Sequence, residues 1–193
     1  MQLINSWISG VKRVPSPYCD ARPHHEAPSL LVVHGISLPP GQFGGPYIDQ
    51  LFTGTLRLDD EHPFFQQVYE LRVSAHCLIR RAGDVVQYVP FDKRAWHAGA
   101  SMFAGRPNCN DFSIGIELEG TDNLAYTQEQ YRSLAEMTRL LMQHYPIVPQ
   151  RIIGHSDIAP DRKTDPGPEF NWHCYRQLLS PRADGDNREN PAL

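Results

Sequence analysis

No apolar run in the 193 residues approaches the ~20 that a membrane-crossing helix needs, so no membrane partner is expected. Positive charge is not in excess either. Lys and Arg number 18 against 22 Asp and Glu, a net charge of -4, which argues against a nucleic-acid partner held by bulk charge. The opening residues, Met1 to Gly10, carry no basic stretch leading into an apolar core, and no lipidation pattern. A cytoplasmic location is therefore expected. Cysteine is scarce: Cys19, Cys77, Cys109 and Cys174 are scattered, with no C-x-x-C pair. Four cysteines would allow three disulfide pairings in an oxidising compartment, but in a reducing cytoplasm free, mostly buried thiols are expected. The sequence has no internal repeat and no nucleophile-elbow serine motif.

What is present suits one folded domain. Apolar residues make up 40% and charged residues 21%, and the length is enough for one full core. We assign residues 1–180 to this domain, expect a monomer, and read the polar stretch 181–193 as a flexible tail. With 17 prolines and 14 glycines, loops should be extensive. The 9 histidines are the one excess that suggests chemistry.

Leu30-Leu31-Val32-Val33 reads as a buried strand delivering His34, followed by a Pro/Gly-rich loop and a short helix after Pro46. Val73–Ile79 and Val85–Val89 read as a hairpin around Ala82-Gly83-Asp84. In Ser113–Glu119 the residues Ile114, Ile116 and Leu118 alternate with Gly115, Glu117 and Glu119, so Glu117 points away from the aliphatic layer. Thr127 and Gln130 form a capping-box pattern at the head of a helix that runs to about Tyr145 and stops at Pro146. Arg151–Gly154 is a short strand delivering His155, and a last helix runs from about Glu169 to Leu179. Strands mixed with substantial helices predict an α/β (α+β) domain, with helices flanking one central mixed sheet.

His34 and His155 each sit just past a short aliphatic strand, where sites are commonly built. The loop after His155 holds Asp157, Asp161, Asp165 and Lys163. Two imidazoles and one carboxylate are a known catalytic zinc set with an open position for water, and zinc can lower the pKa of that water to about 7. Glu119 is read as solvated or salt-bridged, and His76 as a packed or hydrogen-bonded structural residue. His24, His25, His62, His144 and His173 read as surface or structural. Trp96-His97 reads either as core or, through Trp96 above all, as an aromatic platform for sugar or peptide. Arg72 is the best candidate among the arginines to grip a substrate carboxylate.

The chain resembles the zinc-dependent N-acetylmuramoyl-L-alanine amidases, relatives of the peptidoglycan recognition proteins. The resemblance rests on Leu31 to His34, Ile36 to Gly41, Phe43 to Pro46, Ser74 to Arg81, Arg94 to Gly99, Asn110 to Gly120 and Gly154 to Gly167, all in order, and it covers roughly residues 7 to 180. It implies the amidase fold and one Zn2+ per chain, held by His34, His155 and Asp165. It also implies Glu117 as general base and acid, and Lys163 as the group that stabilises the oxyanion. The implied substrate is a small muropeptide, preferably in the 1,6-anhydro form, cut between N-acetylmuramic acid and L-alanine by a zinc-bound water during cytoplasmic peptidoglycan recycling. Two positions depart from the family pattern: Gly35, where Asn is expected, and Asn108, where a basic residue is expected. A non-catalytic wall sensor would tend to lack a zinc ligand, and a lytic enzyme acting outside the cell would call for an export signal.

Overall fold

The computed structural model describes residues 1–58 and 62–180, apart from the side chain of His24. The tail assigned to 181–193 lies outside the described residues. The expected α/β architecture is present. The central sheet contains β1 (Lys12–Arg13), β2 (Leu30–Ile36), β3 (Cys77–Ile79), β4 (Val85–Gln87), β5 (Ser113–Glu119) and β6 (Ile152–Gly154), in the spatial order β6-β2-β5-β3-β4-β1. The pairs β6–β2, β2–β5, β5–β3 and β4–β1 are parallel, while β3–β4 is an antiparallel hairpin, so the sheet is mixed. Antiparallel two-stranded ribbons stand beside it, one of them pairing Cys19–Ala21 with Lys93–Ala95.

Helices flank both faces. On one face, α3 (Gln128–His144) and α5 (Trp172–Leu179) cover Leu31, Val33, Ile114, Ile116 and Leu118. On the other, α1 (Tyr47–Thr53) and α2 (Phe65–Val68) pack against Leu78, Val86 and Tyr88. Still on that second face, Leu30 and Val32 lie against Ala98, Phe112 and Ile158, the last on the short α4 (His155–Ile158). The alternation in β2 and β5 thus sends odd and even residues to different layers. Each fully buried Leu, Ile or Val contributes roughly 1.5–3 kcal/mol of burial free energy.

The head of α3 shows why the sequence pattern was readable. Gln130 N–H donates to Thr127 Oγ1 (3.1 Å), and Thr127 N–H donates to Gln130 Oε1 (3.0 Å). The same Gln130 amide donates to Ile79 O and Glu119 O, so the cap also fastens the helix to β3 and β5. The last helix begins later than expected, at Trp172, because Asn171 caps it by accepting from Cys174 N–H at 2.9 Å. Regular pairing in β3 starts only at Cys77. Upstream, the Gly115 N–H donates to the His76 ring Nδ1 (3.1 Å), and a side chain takes a donor that a ladder would otherwise use.

All four cysteines are free, with Cys77 and Cys109 buried. Among the described residues, no helix is long and apolar enough to cross a membrane.

Candidate active site

In the parallel trio β6–β2–β5 the carboxyl ends lie together, the edge where open α/β sheets place their ligands. His34 lies in β2 and Glu117 in β5, directly opposite each other in register. Gly154, the last residue of β6, pairs with Val33, so His155 follows at the level of His34. The loop after α4 then returns Asp165, whose carbonyl accepts from Ser156 N–H at 3.0 Å.

The three donors proposed from sequence come together. His34 Nδ1 and His155 Nδ1 are 3.0 Å apart, and Asp165 Oδ2 lies 3.3 Å from the first and 3.0 Å from the second. One atom from each of the three side chains falls within a 4.8 Å group. Both histidines are nearly inaccessible, at 2% and 3% exposure. His155 Nε2 faces the Ala98 carbonyl at 3.3 Å, and a carbonyl can only accept, so in the tautomer that satisfies Ala98 O the ring proton sits on Nε2. The Nδ1 lone pair of His155 therefore points at a second imidazole and a carboxylate. Acceptors converging in a buried space repel unless a cation lies among them, so the donor set fits a zinc-type ion.

Electrostatics agree with this geometry. Burial pushes the His34 imidazole down to about 4, despite the neighbouring Asp165 carboxylate. Burial alone would raise the Asp165 carboxyl, but the two imidazoles beside it, His155 and His34, outweigh burial and hold the group well below its usual range. Glu117 is 8% exposed. Its Oε1 is 4.0 Å from His34 Nδ1, and its Oε2 is buried without a hydrogen-bond partner. Burial, then the Asp165 charge, raises the Glu117 carboxyl well above the ordinary value, and Lys163 partly opposes this. The Lys163 ammonium also bears on His34, so its positive charge reaches both the proposed base and one of the donors.

Other predicted residues lie elsewhere. Trp96 is half-buried, donates from Nε1 to Asp20 Oδ1 (3.2 Å) and stacks on Tyr18 at 6.1 Å. Arg72 is exposed. Neither is brought against the three donors by any contact among the described residues. Glu119, two residues beyond Glu117, is 1% exposed and ion-paired to Arg80 at 3.2 Å, so it is salt-bridged rather than solvated. His76 is the structural residue expected: it is fully buried, with Nε2 3.0 Å from Lys93 O, and desolvation pushes it down to about 3.

The sequence reading missed the surroundings of the donors. His97 Nδ1 is 2.9 Å from His34 Nε2, and Arg162 donates to Ala98 O at 2.7 Å. The Asn110 side-chain oxygen accepts from the N–H groups of both His97 and Ala98. Gly115 carried a signal for this. A glycine inside an aliphatic strand marks a close approach, and a Cβ there would lie 2.3 Å from His97 Cγ. Gly35 is similar: the Tyr126 hydroxyl fills the space a Cβ would take, at 2.3 Å, and donates to Pro166 O next to Asp165.

Comparison with known proteins gives one consistent result. Residues 24–168 match the N-acetylmuramoyl-L-alanine amidase family. The chain is 64% identical over 180 residues to the 1,6-anhydro-N-acetylmuramyl-L-alanine amidase AmpD of Escherichia coli K12, covering 93% of this chain and 98% of that protein. A crystal structure of a selenomethionine AmpD derivative superposes with a TM-score of 0.91 at 61% identity, covering 93% of this chain and all of the other (100%). The Escherichia coli amidase AmiD, solved with anhydro-N-acetylmuramic acid-L-Ala-D-γ-Glu-L-Lys, is more distant: TM-score 0.58 and 27% identity, over 82% of this chain and 60% of that one.

Proposed function

The chain belongs to the N-acetylmuramoyl-L-alanine amidase family, and we propose that it hydrolyses the amide between N-acetylmuramic acid and L-alanine in small muropeptides, preferably those with the 1,6-anhydro sugar. The observation that carries this reading is the convergence of a three-donor cluster with a buried carboxyl that has one oxygen unpartnered. His34 Nδ1, His155 Nδ1 and Asp165 Oδ2 would hold the zinc ion. When bound, zinc supplies a Lewis acid that acidifies water and polarises the amide carbonyl.

The residues then divide the work. Glu117 accepts the proton of the attacking water as the new C–O bond forms. It returns that proton to the alanine nitrogen as the C–N bond breaks, leaving a muramic carboxylate and a free peptide amine. Its raised proton affinity suits a group that must both take and give a proton near neutrality. Lys163 places positive charge where the carbonyl oxygen becomes negative. Arg72 and Trp96 remain the proposed substrate contacts. Arg72 is exposed with no partner for its guanidinium among the described residues, which suits it to a peptide carboxylate.

We place this activity in cytoplasmic peptidoglycan recycling, by a monomer whose folded domain spans 1–180. Four free thiols, two of them buried, support a reducing compartment. The intact donor set favours an enzyme over a wall-fragment sensor. The test is mass spectrometry of products from an anhydro-muropeptide and from intact sacculi, with and without a chelator. Release of peptide from the small substrate, abolished by chelation, is the expected result. Undiminished hydrolysis by fully demetallated protein would sink the metal reading.

A further inference from the structure

Two adjacent residues touch the outer nitrogens of both histidine donors. His97 Nδ1 lies 2.9 Å from His34 Nε2, and the Ala98 carbonyl lies 3.3 Å from His155 Nε2. We propose that the His97–Ala98 segment is the positioning element of the metal centre, and that His97 holds His34 in the tautomer that presents Nδ1 to the ion. The proposal rests on the zinc reading above and adds to it residues that are not themselves donors to the ion.

The tautomers follow from acceptor chemistry. Ala98 O can only accept, so with Nδ1 given to the ion the His155 proton sits on Nε2 and is held there. His34 has no such fixed acceptor. Its Nδ1 faces His155 Nδ1 and Asp165 Oδ2, either of which could draw a proton to the inner nitrogen. An acceptor at Nε2 settles the choice, and His97 Nδ1 is the atom in place. For Nδ1 to accept, His97 must carry its own proton on Nε2, and that nitrogen finds the Ser113 hydroxyl oxygen at 3.1 Å. In the proposed arrangement the chain runs from His34 Nε2–H to His97 Nδ1, and from His97 Nε2–H to Ser113 Oγ; the reverse direction would put the His34 proton on Nδ1, which a tautomer measurement distinguishes.

The supports of this chain are built into the fold. Ser113 opens β5 and Glu117 lies on the same strand, so one strand carries both the proposed base and the end of the relay. Gly115 leaves room for the His97 ring, since its missing Cβ would meet Cγ at 2.3 Å. The rings of His34 and His97 meet edge to face at 4.9 Å. Asn110 fixes the backbone from outside by accepting from the N–H of His97 (3.1 Å) and of Ala98 (2.8 Å). Partners of this kind orient a metal-binding imidazole and typically change metal affinity about 10- to 100-fold when removed.

The experiment compares the full-length protein with His97→Leu, His97→Asn and Asp165→Ala. Asn keeps a side-chain oxygen near the position of the ring Nδ1, whereas Leu keeps bulk without an acceptor. Zinc affinity is measured by competition with a chromogenic chelator. The His34 tautomer is read in the zinc-free proteins from imidazole nitrogen NMR shifts, and folding is checked by thermal unfolding. The expected result is that His97→Leu binds zinc about 10- to 100-fold more weakly and loses the pure Nε2–H form of His34, while His97→Asn recovers most of both. A folded His97→Leu protein with wild-type affinity and tautomer overturns the proposal. So does a folded His97→Asn protein as impaired as His97→Leu, because His97 would then act only by packing. Failure of the zinc reading looks different: the unmodified protein would bind no zinc, or Asp165→Ala would bind it equally well.

Discussion

Glu117 and His34 face each other in register across the parallel β2–β5 pair, with Oε1 4.0 Å from Nδ1. The separation is too long for a hydrogen bond. Glu117 therefore lies beside the donor cluster without belonging to it. Replacing Glu117 with Gln keeps shape and polarity and removes the base. Turnover should fall by about 10²- to 10⁴-fold, with zinc content unchanged. Steady-state kinetics alongside metal analysis decides this. If zinc is lost together with activity, Glu117 is a ligand and its assigned role is wrong.

The buried histidines make stability depend on pH with a definite sign. In the folded protein His34 is pushed down to about 4 and His76 to about 3, both chiefly by burial. Unfolded, each titrates near ~6.5. Below that pH the unfolded chain binds protons that the native state refuses, so unfolding becomes easier as acid is added. The stabilisation is fully present above ~6.5 and is lost as pH falls toward 4, at up to about 1.4 kcal/mol per pH unit per histidine. Urea unfolding of zinc-free Glu117→Gln protein at stepped pH values measures it, because the raised Glu117 carboxyl would otherwise act with the opposite sign in the same window. A stability that stays flat between ~6.5 and ~4.5 contradicts the burial of these two neutral rings.

Gly35 and Tyr126 occupy one space. Gly35 does not have a left-handed backbone, so the demand for glycine there is spatial: a Cβ would lie 2.3 Å from the Tyr126 hydroxyl. Gly35→Ala should destabilise by about 1–3 kcal/mol through overpacking. Tyr126→Phe alone loses the bond to Pro166 O, worth about 0.5–1.5 kcal/mol. Combined, the changes should cost less than their sum, because the second removes the atom that the first strikes. A coupling of about 0.5–3 kcal/mol is expected from the double-mutant cycle. Strict additivity would show that the Tyr126 ring simply moves aside.

Where one residue's local chemistry decides an element, the sequence was readable. The alternation of Ser113–Glu119 gave β5 its bounds, and Thr127 with Gln130 gave α3 its start. His34 and His155 were legible because short aliphatic strands deliver both to one sheet edge. The pairing of His97 with His34 was not, since it joins residues 63 apart through a gap left by a missing side chain at Gly115. The extent of β3 failed for a related reason: the His76 ring accepts from Gly115 N–H, and no propensity scale registers that competition. Period-2 spacing put Glu117 and Glu119 on one face but did not distinguish them.

That distinction is itself testable. Glu119 Oε1 accepts from Gly44 N–H at 2.7 Å and pairs with Arg80 Nη1 at 3.2 Å, while Oε2 accepts from Arg81 N–H at 3.2 Å. Through Gly44 it ties the loop that follows β2, where Phe43 also lies under the Arg81 guanidinium at 5.3 Å. Glu119→Ala would strand two backbone donors and leave Arg80 with Asp49 as its only ion-pair partner among the described residues. Breaking a buried pair in this way costs about 3–5 kcal/mol. Glu119→Ala should therefore unfold at much lower urea while its folded fraction still binds zinc like the unmodified protein, the reverse of Glu117→Gln. If Glu119→Ala left stability intact and weakened zinc binding, the division of labour along β5 would have to be redrawn.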